Sequence, residues 1–135
     1  MLNGKIFVVS FVVLAVLDFL WLGVVMSKFY NVELGSLARR AGDSLAPHWP
    51  SVILVYFLMA LGLSMFVVPA AAGQPASAAL RGALFGLVVY GIYDLTNFGT
   101  LIGWSIKLTV VDILWGMTIY AIAGAIVTWI GKYLH

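Results

Sequence analysis

The sequence predicts an all-α fold, an integral membrane four-helix bundle, and three observations carry that expectation. Of its 135 residues 64% are hydrophobic and only 9% are charged. A soluble domain carries roughly 25% charged residues to cover its surface, so this chain has apolar area that lipid must cover. The apolar residues fall into four runs, each close to the ~20 residues that a helix needs to cross the hydrocarbon core. No alternating ten-residue pattern of barrel strands occurs, which leaves helices as the spanning structure that satisfies its own backbone in lipid.

The chain, residues 1–135, reads as a single four-helix transmembrane domain with spans at about 6–26, 51–72, 82–100 and 106–130. The first run opens like a signal peptide, but it is long, contains Asp18 and has no small-residue cleavage site before Lys28, so it reads as a retained helix. The connection from Ser27 to Pro50 is the one long polar segment. Within it, apolar residues near helical spacing over Val32–Arg40 predict a short helix along the membrane surface. Pro47 and Pro50 bracket the start of the second span. Gly82 and Gly86 form a small-xxx-small pair that lets the third helix approach a neighbour closely.

The seven basic residues, in a chain of net charge +2, lie almost entirely at the ends of apolar runs. That is where membrane proteins keep them, and it argues against a nucleic-acid partner. Four spans put Lys5, Arg81 and Lys132 on one side and Lys28, Arg39, Arg40 and Lys107 on the other, a balance that selects no orientation. The absence of cysteine excludes disulfides, thiolate metal sites and iron–sulfur clusters. No cofactor is expected. The two histidines, His48 and His135, fall on opposite sides and cannot ligate one haem, and no mid-membrane lysine is present for a Schiff base.

Three of the five acidic residues lie inside apolar spans: Asp18, Asp94 and Asp112. An Asp at a helix centre costs ~2.5–3.5 kcal/mol on insertion scales, so three of them call for compensation. Asp18 precedes the end of its span by eight residues (18 to 26), ~12 Å at 1.5 Å per residue. Asp94 lies near the end of the third span and Asp112 near the start of the fourth. The first and third helices end on the side where the fourth begins, so helix count alone brings the three carboxyls to one level. His48 and Lys107 belong to that side.

The neighbours fit a polar chamber. Asp94 shares a helix face with Tyr90 and Asn97, and Asp112 shares one with Thr109, Trp115 and Gly116. Tyr93 adjoins Asp94. Asp18-Phe19-Leu20-Trp21 and Asp112-Ile113-Leu114-Trp115 both read Asp-x-Leu-Trp, a match short enough to arise by chance. Single intramembrane Asp residues also serve as interhelical hydrogen-bond glue. Like charges this close do not all ionise cheaply, so the set is expected to share protons and titrate together.

Tyr93-Asp94-Leu95-Thr96-Asn97, Thr100-Leu101, Trp104 and Asp112-Ile113-x-Trp115-Gly116 resemble the signature of the small bacterial membrane proteins catalogued as domain of unknown function 2177. Asp18-x-x-Trp21-Leu22-Gly23, with Phe29-Tyr30 after it, is similar to that family's first helix. The resemblance covers essentially the whole chain, with Gly99 standing where alanine is expected. It implies four helices in a bacterial cytoplasmic (inner) membrane and brings no assigned activity.

The expected function is a binding or transport module whose chamber holds a cation, protons or a small polar or amine ligand. The residues expected to line it are Asp18, Trp21, Tyr93, Asp94, Asn97, Lys107, Asp112, Trp115 and His48. Trp21 and Trp115 would face a cation through their rings. Any metal would be a hard ion on Asp18, Asp94 and Asp112. Two alternatives stand beside it. One is an intramembrane enzyme acting on a lipid or isoprenoid, with paired carboxyls as acid and base, although no nucleophile or nucleotide motif is present. The other is an accessory subunit in which the acids only pack the bundle. Membrane lipids, and a small cationic or lipid ligand, are the expected partners, and a homo-oligomer stays open.

Overall fold

The computed structural model describes residues 2–134. Five α-helices appear: α1 (Gly4–Asp18), α2 (Ser27–Leu34), α3 (Trp49–Gly62), α4 (Pro75–Thr100) and α5 (Ile106–Gly131). α1 continues as a π-helical stretch, Phe19–Val25, and α3 as a shorter one, Leu63–Val67. With these extensions four helices are long and apolar enough to cross a membrane: Gly4–Val25, Trp49–Ala71, Pro75–Thr100 and Ile106–Gly131. α4 begins at Pro75 rather than near Gly82, because a proline in the first turn needs no amide partner there.

Helix ends follow local chemistry. The Asn3 side chain accepts from the amides of Lys5 and Ile6 at 3.0 and 3.3 Å, satisfying donors that the first turn of α1 leaves free. Ser105 caps α5 by accepting from the Leu108 amide at 2.9 Å, and its hydroxyl donates to Glu33 at 2.7 Å. One serine thus begins α5 and ties it to α2.

The first connection departs from the expected placement. Its helix runs over Ser27–Leu34 rather than Val32–Arg40. It stops at Gly35, whose φ of 52° is a conformation glycine adopts without steric penalty. One 3-10 turn, Gly35–Leu37, follows, and then a two-stranded hairpin, β1 (Arg40–Ala41) and β2 (Ser44–Leu45). The two-residue turn has Gly42 at its first position with φ 64°, the choice that suits the twist of a tight hairpin. The Arg40 guanidinium donates to the carbonyls of Asn31 and Gly35 and to the Asn31 side chain. It thereby occupies the orphan carbonyls at the end of α2 and holds the hairpin against it.

α4 and α5 make the tightest contact in the bundle. A Cβ at Gly82 or Gly86 would run into the backbone carbonyls of Tyr120 and Gly116, and one at Gly116 into the Tyr90 ring. The small-xxx-small pair is therefore a packing surface against α5. α1 lies against α3 and α5, while α3 meets α4 chiefly through its C-terminal π stretch. The core of Leu14, Leu63, Val67, Ile119, Tyr120, Ala123 and Val127 fills that half. At the other end α3 and α4 part, and the space between the helices is not filled.

Candidate functional site

The unfilled end holds a cavity of about 700 Å³. Its walls come from the end of α1, from α2 and the hairpin, from the first turns of α3 and of α5, and from Tyr93 of α4. Most of the lining is apolar, including Phe19, Leu22, Leu34, Leu45, Val52 and Leu108, and the polar groups are Asp18, Asp112, Tyr30, Tyr56 and Tyr93, with the indole of Trp104. Leu34, Leu45 and Pro47 bring α2 and the hairpin over it as a cap.

Asp18, the last α-helical residue of α1, is 6% exposed. Both of its oxygens are occupied: Oδ1 accepts from the Trp115 indole at 2.8 Å and Oδ2 from the Tyr56 hydroxyl at 2.6 Å. The π stretch then shifts the register of the helix, as in the bond from the Met26 amide to the Trp21 carbonyl five residues back, 2.8 Å. Trp21, inside that stretch, stacks parallel on Trp115 with centroids 4.5 Å apart and planes 6° from parallel. Such π segments often mark sites where a helix re-aims side chains.

The Trp21 indole donates to the Tyr30 hydroxyl at 3.0 Å, and that hydroxyl donates to Asp112 Oδ1 at 2.8 Å. Tyr30 can do this because α2 folds back under the bundle, where the ring packs with Trp104 and Leu108. Burial, and next the Asp112 carboxylate, pushes the Tyr30 phenol well above its ordinary value, so it remains a donor.

Asp94 is fully buried, and neither of its oxygens has a hydrogen-bond partner. Its carboxyl interacts with that of Asp112 across the α4–α5 contact. The glycine-tight approach of these helices is what brings two acids from different spans together. Trp104 also carries a buried indole N–H without a partner, and its ring meets Tyr93 edge-on at 5.9 Å.

The expected residues thus separate. Asp18 and Asp112 reach the cavity wall, Asp94 stands beside Asp112, and Tyr93 lines the wall with its side chain against Asn97. Trp21 and Trp115 face one another rather than the cavity, so their rings are not presented to a cation in it. Lys107 is exposed and off the wall, in keeping with snorkelling toward water. His48 is exposed at the start of α3, where its Nδ1 pairs with the Ser51 hydroxyl at 2.6 Å. His135 lies outside the described residues.

The three carboxyls do not form one metal cage. No group of three or more His, Asp or Glu among the described residues is placed to hold an ion. The physical reason is that both Asp18 oxygens already accept from Tyr56 and Trp115.

Tyr56 and the role of Tyr30 were not among the expected site residues. A phenol within the charge-free second span was the available signal for Tyr56, because a buried hydroxyl in lipid needs a partner. Tyr30 gave no such sign, since its contact with Asp112 depends on how α2 folds back. The two Asp-x-Leu-Trp segments, whose likeness was short enough for chance, meet in space: the second Trp serves the first Asp directly, and the first Trp serves the second Asp through Tyr30.

No curated protein and no solved structure matches the chain. The family model described as "Predicted membrane protein (DUF2177)" matches residues 3–130, and the chain therefore belongs to the DUF2177 family of membrane proteins.

Proposed function

We propose that this protein is a membrane-embedded binding module for an organic cation, working in a bacterial cytoplasmic membrane. The observation that carries the reading is the Asp94 carboxyl, fully buried, without any donor and set against Asp112. A buried acid pair of this kind is tolerable only if positive charge or a shared proton compensates it. Among the described residues no Lys or Arg forms a salt bridge to Asp94, so the compensation is a shared proton or a cation from outside the chain. Asp112 presents this acidity at the cavity wall, where its Oδ1 accepts from the Tyr30 hydroxyl. An ammonium arriving there replaces the shared proton.

The test uses purified protein in phosphatidylcholine nanodiscs and a series of amines and quaternary ammonium ions of rising chain length. Tryptophan fluorescence reports on the Trp21–Trp115 stack, one hydrogen bond from Asp18. A saturable change is expected with wild type, and its loss is expected in Asp94→Asn and Asp112→Asn while circular dichroism stays unchanged. A flat response to every cation, or an undiminished response in both variants, rejects the reading. Turnover of a lipid in the same samples would favour the enzymatic alternative.

A further inference from the structure

The cavity says more about its occupant than that it is cationic. An ammonium headgroup of a few heavy atoms needs on the order of 100 Å³, whereas the cavity holds about 700 Å³. The remaining space is walled by apolar side chains, which would gain nothing from a hydrated ion.

Three wall residues on three different helices also reach the outer surface: Phe19 at 67%, Trp49 at 63% and Tyr93 at 57% exposure. Tyr93 stands seven residues before the end of α4 (93 to 100), ~10 Å into the span at 1.5 Å per residue. The cavity wall is thus exposed at membrane depth at Tyr93 on α4, and Trp49 at the start of α3 is exposed beside the same cavity. Toward water it is capped by Leu34 of α2, by Leu45 of the hairpin that Arg40 clamps to α2, and by Pro47 just after it, beside the Glu33–Ser105 bond.

No Lys, Arg or His among the described residues lines the cavity. A phosphate or carboxylate on the ligand would meet two carboxyls, Asp18 and Asp112, and no positive charge. The neutral donors of the wall are phenols and indoles, and Tyr30 and Tyr56 already donate to Asp112 and Asp18, so none of them balances the charge of an anion.

We infer that the occupant is a membrane amphiphile of net positive charge, a long-chain amine, that reaches the site from the bilayer between α3 and α4 with its ammonium on Asp112 and its chain along the apolar wall. This rests on the binding function proposed above and specifies the class of ligand. Zwitterionic phospholipids are disfavoured by their phosphate, which finds no positive charge in the cavity wall, and this leaves the site selective for lipids of net positive charge.

The experiment compares dodecylamine, dodecan-1-ol, lysophosphatidylethanolamine and butylamine on the full-length protein in phosphatidylcholine nanodiscs, each corrected for partition into empty nanodiscs. Dodecylamine is expected to bind saturably, about tenfold or more tighter than dodecan-1-ol and the lysophospholipid, because it alone brings an uncompensated charge to the carboxyl. Butylamine, which lacks most of the chain, is expected to be weaker by about tenfold or more. In Asp112→Asn, dodecylamine should fall to the level of the alcohol.

Equal binding of dodecylamine and dodecan-1-ol overturns the inference, as does equal binding of the lysophospholipid. Butylamine binding as tightly as dodecylamine also overturns it but leaves the organic-cation site standing. Failure of every amine removes both. The three comparisons with dodecylamine are made on wild type, so the outcome does not depend on a variant that folds.

Discussion

The pattern Asp-x-Leu-Trp occurs at residues 18–21 and again at 112–115, and the fold treats the two copies differently. The Asp18 copy is closed: its carboxyl receives an O–H from Tyr56 and an N–H from Trp115, one donor on each oxygen. The Asp112 copy is open: it receives one O–H, from Tyr30, and stands beside Asp94, which receives none. An acid with its donors supplied holds helices together, whereas an acid short of donors invites a proton or a cation. The same Asp-x-Leu-Trp pattern therefore gives an interhelical clamp in one place and a candidate ligand site in the other, and partners from distant parts of the chain make the difference.

The largest expected effect separates the two copies by stability. Asp18→Leu strands the Tyr56 hydroxyl and the Trp115 indole in a buried setting, and each orphaned donor costs ~1–3 kcal/mol. Asp112→Leu strands only the Tyr30 hydroxyl and relieves Asp94 of a like neighbour, so it should cost at least ~1 kcal/mol less. Unfolding in mixed micelles with rising dodecyl sulfate measures both, and equal losses would mean that the two copies do not differ in the way described.

Next in size is Tyr30→Phe, which removes the bridge from Trp21 to Asp112 while keeping the ring packed against Trp104 and Leu108. A loss of ~1–2 kcal/mol is expected, together with a changed tryptophan emission as the Trp21 indole loses its acceptor. An unaltered spectrum would show that the two copies are not linked through Tyr30. The smallest effect belongs to Glu33→Gln at the part-buried bond to Ser105, which should cost under ~1 kcal/mol in stability and loosen the cap. Faster hydrogen exchange over residues 35–47, with the bundle unchanged, is the expected signature.

Much of the fold was legible because its causes are local. Four apolar runs of sufficient length specify four helices in lipid, and Pro50 marks the start of the second by chemistry that needs no tertiary contact, whereas the start of α4 at Pro75 and the Ser105 cap of α5 were not read from the sequence. The gathering of Asp18, Asp94 and Asp112 at one end was also readable, because alternating helix directions and a fixed rise per residue set the level of each side chain. The hairpin at residues 40–45 escaped, since Gly35 ends α2 through its own backbone conformation and Arg40 finds acceptors only once the chain has turned back. His48 stands at the start of α3 and Lys107 in the first turn of α5, but proximity in level does not establish on which face a side chain lies.

The sequence by itself determined a four-helix membrane protein and the level at which its buried acids sit, because burial cost and helix geometry act residue by residue. Only the tertiary structure decided which acid is satisfied and which is not. Rotation of each helix about its axis, the π stretch after Asp18, and the glycine-tight approach of α4 to α5 have no counterpart in hydropathy. Those packing choices pair Asp18 with Tyr56 and Trp115, aim Trp21 at Tyr30, and leave Asp94 facing Asp112 with no donor of its own.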